Sequence, residues 1–265
     1  MILAIPAGPA RAAPSAELWT RWTAQDQASV AAIDHGAWSR FLAQYRRVGA
    51  DGIARVAYGA VTTTDRAGLA AYVDRLAGIP IGRYARAEQL AYWLNLYDAL
   101  VVKLVLDHYP VESIRDIDIS PGWFARGPWD AKLVAVEGTP LSLNDIEHRI
   151  LRPIWRDPHI HYGLNCAALG CPDLPAEAFT AANVGALLDR AAARFVNSPR
   201  GVRIVEGGVR LSSIYDWYEA DFGGSQADVL EHLRHYAAPP LAAALGRVGN
   251  VDGYDYDWRL NDAAH

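Results

Sequence analysis

The sequence predicts a helix-rich α+β single domain with a small antiparallel sheet and hairpins. Three observations predict it. Arg86 to His108 forms one long apolar run with helical periodicity. Two short alternating stretches flank Glu137-Gly138 and Glu206-Gly-Gly208, as hairpin strands flank a turn. No internal repeat or low-complexity linker divides the 265 residues, a length that suits one large domain. The domain is placed at 15–265, and residues 1–14 are set apart.

Composition narrows the function classes. Hydrophobic residues make up 51% of the chain and the net charge is −5, which is ordinary globular chemistry. No run of Lys or Arg offers a nucleic-acid footprint. No apolar stretch reaches the ~20 residues that span a bilayer. Met1 to Pro14 is apolar and small, with Ala10-Arg-Ala12 in a cleavage-like pattern. It reads as the tail of a secretory signal or as a disordered Ala/Pro leader; the first would place the mature chain in the periplasm or outside the cell. A disulfide is permitted there.

In chain order, residues 16–47 read as helical, anchored by Leu18, Trp22, Trp38, Phe41, Leu42 and Tyr45, until Gly49 to Gly52 breaks the run. Thr64 or Asp65 then caps a helix that Gly78 and Pro80 end. On the Arg86–His108 helix, at about 100° per residue, Arg86, Gln89, Tyr92, Lys103 and Asp107 share a side expected to be wet. Asp98 falls opposite, among Ala91, Leu94, Leu100, Val101 and Val105, with Asn95 on its flank. A carboxylate placed there must be hydrogen-bonded. It reads as part of a polar network or as support behind an active site.

Lys132 to Leu141 reads as a hairpin, and Ser142-x-x-Asp145 as a capping box opening a helix that Pro153 ends. Ile160, Tyr162 and Leu164 alternate with His161 and Gly163, which predicts a strand leading into Asn165-Cys166. A helix follows over 180–196, a second hairpin over 202–211, and a helix capped by Ser225-x-x-Asp228. Tyr254, Tyr256, Trp258 and Leu260 alternate with polar residues as a last strand.

Several motifs, in order, resemble the family known as domain of unknown function 547. They are Leu90-Ala-Tyr-Trp-Leu-Asn-Leu-Tyr-Asp-Ala-Leu100 with Tyr109-Pro-Val-Glu-Ser-Ile114, and Leu141-Ser-Leu-Asn-Asp-Ile-Glu-His-Arg-Ile-Leu-Arg152. Asp157-Pro-His-Ile-His-Tyr-Gly-Leu-Asn-Cys166 through Cys171-Pro172, Asp216-Trp-Tyr218, Asp221-Phe222 and Tyr256-Asp-Trp-Arg-Leu-Asn261 complete the set. The resemblance covers about residues 35–261 and carries no reaction with it. It implies that Cys166 occupies a position where plant relatives keep a Cys, and Cys171 one where they have Ser. That favours Cys166 for family-wide chemistry. Departures are Asp98 for Asn, His159 for Arg, and Tyr162-Gly163 for Phe-Ala.

Both cysteines lie in His161–Pro172, and three chemistries suit them. The first is a thiol hydrolase or acyltransferase on amide or thioester bonds of peptide-like or small substrates. Cys166 is then the nucleophile, activated by a helix N-terminus after it and by a histidine. His148 is the first choice of base and His161 the second, with Glu147, Asp98, Asn95, Asp257 or Asn261 as orienting groups. The histidine precedes the cysteine, so a papain- or transglutaminase-like core would need a rearranged topology. The second is a non-catalytic binding module closed by a Cys166–Cys171 disulfide, with Trp123, Trp129 and Trp155 as ligand platforms. The third is a metal site of His161, Cys166 and Cys171 with His148 nearby. No cofactor is expected: phosphate-binding Gly loops, Gly-x-Ser-x-Gly and His-Glu-x-x-His are absent from the sequence.

Overall fold

The computed structural model describes residues 14–122 and 127–264. The leader to Ala13 and the Trp123 platform therefore lie outside the described residues. The core is built around α3 (Arg86–His108). Lys103 and Asp107 do stay at the surface, as a 2.6 Å ion pair. Gln89 and Tyr92, expected on the same wet side, are buried instead. Their polar tips are satisfied inside: the Gln89 amide donates to the carbonyls of Ala24, Ile81 and Tyr84, and the Tyr92 hydroxyl to that of Leu76. A helix wheel ranks faces by polarity but cannot see such partners.

The 16–47 region is less helical than its anchors predict. It holds a single turn at Thr20–Thr23 and then α1 (Gly36–Tyr45). Next comes an unpredicted hairpin, β1 (Arg46–Val48) with β2 (Ala54–Val56), whose three-residue strands are too short to show a period. In α2 (Thr63–Ala77) the cap is Thr62, not Thr64 or Asp65: its hydroxyl accepts from the Asp65 N–H at 3.1 Å. β3 (Val134–Val136) and β4 (Thr139–Leu141) form the expected hairpin. Its turn residues Glu137 and Gly138 both have positive φ, as the twist of a two-residue hairpin demands.

The capping box forms. Ser142 Oγ accepts from the Asp145 N–H, and Asp145 Oδ2 accepts from the Ser142 N–H. The helix it opens, Asp145–Leu151, is wound wide: the Arg152 N–H reaches back five residues to the Glu147 carbonyl. Pro153 does not end it. The chain continues as α4 (Arg152–Trp155) to Arg156 in the left-handed region. Pro153 has no N–H to give the turn behind it. The His148 and Arg149 carbonyls accept instead from the N–H groups of Glu17 and Trp19, at 2.9 and 3.0 Å. The Arg149 guanidinium covers the Trp19 ring at 4.2 Å. An N-terminal strap is thereby laced to this helix.

The strand predicted at 160–164 is a helical turn, α5 (Ile160–Gly163), started by i→i+3 bonds from Asp157, Pro158 and His159. Five alternating residues do not separate the two periods. α6 (Val184–Val196) follows. A second apolar cluster then gathers Tyr162, Phe195, Tyr215, Phe222 and Leu233. Around it lie β5 (Val202–Val205), β6 (Gly208–Ser212), α7 (Ile214–Trp217), α8 (Gln226–Tyr236), α9 (Pro239–Leu245) and β7 (Val251–Asp255). β5 pairs antiparallel with β6, but β6 pairs parallel with β7, so this small sheet is mixed. β7 stops at Asp255, earlier than the aromatic alternation suggests. Among the described residues no helix is long and apolar enough to cross a membrane.

The strap depends on the proline. Pro153→Ala supplies an N–H that competes for the His148 or Arg149 carbonyl. Hydrogen exchange should show faster exchange at the Glu17 or Trp19 amide, with the α3 core unchanged.

Candidate active site

The two-cysteine loop is placed by Asn165. Its backbone N–H donates to Asp98 Oδ1 at 2.9 Å, and its side-chain amide donates to the Pro172 carbonyl at 2.7 Å. Its Oδ1 accepts from the Ala167 N–H at 2.9 Å and from Asn261 Nδ2 at 3.1 Å. The Ala167 bond closes a tight turn with Ala167 at φ +59°, a conformation that costs an L residue energy and needs such fixing. No helix follows Cys166, so helix-dipole activation of its thiol does not apply.

The chain's end runs beside the loop. N–H groups of Leu169 and Gly170 donate to the carbonyls of Arg259 and Asp257, and the Asn261 N–H to that of Ala167. A Cβ at Gly170 would sit 2.8 Å from the Asp257 nitrogen, so only glycine allows this approach. The pairing delivers Tyr256. Its hydroxyl lies 3.0 Å from the sulfurs of both Cys166 and Cys171.

Those sulfurs are joined. Cys166 and Cys171 form a disulfide with Cα atoms 6.1 Å apart, and no described cysteine is free. Cys166 is partly exposed while Cys171 is 2% exposed. The Cys166 N–H points at Cys171 Sγ, 2.9 Å away.

The histidines belong to a neighbouring ionic cluster. His161 Nε2 donates to Asp221 Oδ2 at 2.7 Å, and its Nδ1 lies 3.9 Å from Glu147 Oε1. Arg152 grips Asp221 with two nitrogens, at 2.5 and 3.1 Å. It also donates to His148 Nδ1 at 3.0 Å and to the Pro14 carbonyl at 2.7 Å. His148 therefore accepts at Nδ1, which is the neutral tautomer. Burial, with Arg152 adding to it, keeps the His148 pKa below the ordinary histidine value. Tyr218 stacks on His161 at 4.0 Å and lies under the Arg152 cation at 4.9 Å. The Tyr97 hydroxyl donates to Glu147 Oε2 at 3.2 Å. Burial opposes charge on Glu147, but His148, His161, Tyr218 and Arg152 outweigh it and hold the carboxyl below its usual range. Burial likewise opposes charge on Asp221, and its bonds to His161 and Arg152 reverse the sign.

Among the described residues no histidine lies within hydrogen-bond reach of either sulfur: Tyr256 and the Cys166 N–H are the groups found there. The two sites still adjoin. The Glu147 charge acts on Tyr256, whose pKa burial and that charge drive far up, so it stays a donor. Asp98 lies behind the loop, fully buried, and its Oδ2 has no partner among the described residues. Asn95 is elsewhere: it pairs with both backbone groups of Phe179 and holds that segment. Asp257 pairs with Arg259 at the surface, and Asn261 accepts from the Tyr58 hydroxyl while bonding Asn165. No set of three His, Cys, Asp or Glu suited to a metal occurs among the described residues. Of the expected platforms, Trp155 is covered by Arg86, while Trp129 meets Trp258 edge-on beside Trp217 and Tyr256.

Sequence reasoning missed Tyr97, Arg152, Tyr218, Asp221 and Tyr256 as site residues. Each stands in one of the motifs quoted above, so the signal was their polar chemistry inside those motifs. Residues 81–196 match the family model described as a protein of unknown function, DUF547. Residues 81–196 belong to the DUF547 family. That region supplies α3, Glu147, His148, Arg152, His161 and both cysteines. Tyr218, Asp221 and Tyr256 come from beyond the DUF547 match. No curated protein and no solved structure matches the chain.

Asp98 yields a pH prediction. Burial raises its pKa well above the ordinary value, against the single bond from the Asn165 N–H. The folded chain keeps the proton that the unfolded chain releases above about pH 4. The protonated group supports folding at low pH, and that support is lost as pH rises towards the folded pKa. Asp98→Asn keeps an acceptor for Asn165 and removes the titration. Denaturant midpoints should show it more stable than wild type at pH 7.5, with the gap closing at pH 4. Asp98→Leu should cost about 1–3 kcal/mol by orphaning the Asn165 N–H.

Proposed function

We propose that this chain is a thiol-dependent hydrolase or acyltransferase whose reacting group is the sulfur of Cys166. The carrying observation is the setting of that sulfur. Cys166 is partly exposed and tied by Asn165, with a tyrosine O–H donor 3.0 Å from it. A charged Glu–His–Asp–Arg cluster sits behind the same tyrosine. Amide or thioester bonds of peptide-like substrates suit such a nucleophile.

In this reading the roles differ from those the sequence suggested. Tyr256 is the donor for a thiolate or a developing oxyanion. His161, held by Asp221 and beside Glu147, is the proposed acid–base group of the cluster. His148 accepts from Arg152 and orients it. The bridge to Cys171 must open before Cys166 can attack an acyl carbon. An oxidising compartment, as the leader-like N-terminus suggests, is where such a bridge persists.

A second reading has its own support. The sulfurs are joined and no described histidine touches them, as in a non-catalytic binding module stabilised by the bridge. One experiment separates the two. Reduced protein is treated with an activated acyl thioester and digested for mass spectrometry. The proposal expects an acyl adduct on Cys166, retained in Cys171→Ser and abolished in Cys166→Ser. Absence of any adduct on the folded, reduced chain would favour the binding module.

A further inference from the structure

The two halves of the disulfide are not equivalent, and their difference has chemical direction. Cys166 is partly exposed, and among the described residues its Sγ receives only the Tyr256 O–H. Cys171 is buried, and its Sγ receives both the Tyr256 O–H at 3.0 Å and the Cys166 N–H at 2.9 Å. Arg200 brings a guanidinium to the same turn, donating to the carbonyls of Cys171 and Leu169 at 2.7 and 2.9 Å. Cys166 is the half of the bridge with solvent exposure, so it is the half an incoming sulfur would meet first. A departing charge on Cys171 meets two aimed donors, the Tyr256 O–H and the Cys166 N–H, while Arg200, paired with Asp173, fixes the turn. Beside the bridge is a shallow depression of about 420 Å³ lined by Gly170, Arg200, Arg203 and Tyr256 among others, open to solvent.

We infer that Cys166–Cys171 is an exchange-active disulfide that takes low-molecular-weight thiols, with Cys166 attacked and Cys171 leaving. The thiolate of the small molecule attacks Cys166 Sγ along the S–S axis. A mixed disulfide forms with Cys166. The old S–S bond breaks, and its electron pair leaves on Cys171 as a thiolate held by Tyr256 and the Cys166 N–H. A second thiolate attacks the small-molecule sulfur of the mixed disulfide. It releases the Cys166 thiolate and a small-molecule disulfide. Two thiols are oxidised and one protein disulfide is reduced, so electrons balance without another reagent. Tyr256 has a second use here: its donor follows the charge between sulfurs 3.0 Å away on either side. The exchange needs no acyl substrate, so it stands or falls separately from acyl transfer.

The test uses the full chain, purified without reductant. Native protein is mixed with limiting reduced glutathione, quenched with N-ethylmaleimide and mapped by mass spectrometry. The expected product carries glutathione on Cys166 and maleimide on Cys171. Opening should slow roughly tenfold or more in Tyr256→Phe, which loses a hydrogen bond to a developing charge. Circular dichroism checks that this variant is folded. Glutathione on Cys171, an even split between the two sulfurs, or a bridge that opens only in denaturant would each overturn the inference. If exchange proceeds while the acyl thioester leaves no adduct, the exchange stands and acyl transfer falls.

Discussion

Four hydrogen bonds at Asn165 hold the two-cysteine loop, the core helix and the C-terminal tail together. One reaches into α3 at Asp98, one to Pro172 beyond the second cysteine, one to Ala167 in the turn, and one to Asn261 in the C-terminal tail. The node therefore fixes the Cys166 turn against the core helix, and the tail against the turn. Tyr256 reaches the sulfurs because the tail is held there. A buried amide with its groups paired is rigid, since every alternative orientation leaves a polar atom dry and unpaired.

The ionic cluster depends on a different constraint, the wide helical turn at Asp145–Leu151. With an i→i−5 bond closing at Arg152, Glu147, His148 and Arg152 all lie in the buried interior instead of spreading around a regular helix. Two carboxylates then face one guanidinium, which grips Asp221, and the imidazole between them, which bonds Asp221 and lies beside Glu147. Buried charges persist only when paired and hydrogen-bonded in this way. Pro153 completes the device by leaving backbone carbonyls to the strap, whose Pro14 carbonyl also meets Arg152.

Much of the fold was legible in the sequence where the signal was long or chemically specific. Arg86–His108, the two hairpins, the Ser142 capping box and the Ser225 cap rest on period and cap chemistry, and both are local. The segment at 160–164 was misread because five residues cannot distinguish a turn of helix from a strand. Gln89 and Tyr92 were misplaced because their partners come from distant carbonyls. At the site, Cys166, His148, His161 and Glu147 were found by chemical type, and Asp98 by its place on the wheel. Their pairing was not legible. His161 meets Asp221 and the sulfurs meet Tyr256 across 60 to 90 residues of sequence, a separation that only the folded tail and helices resolve. Asn95, equally polar and one turn from Asp98, serves the backbone at Phe179 instead.

In the proposed function the Asn165-held turn sets the Cys166 sulfur against the Tyr256 hydroxyl, and that hydroxyl would activate the freed thiol as a nucleophile. The most direct measurement is the pH dependence of iodoacetamide alkylation of Cys166 in Cys171→Ser protein, with and without Tyr256→Phe. The account predicts one titration below the ordinary cysteine value of about 8.5, moving upward when the hydroxyl is removed. A profile at the ordinary value, indifferent to Tyr256, would contradict it.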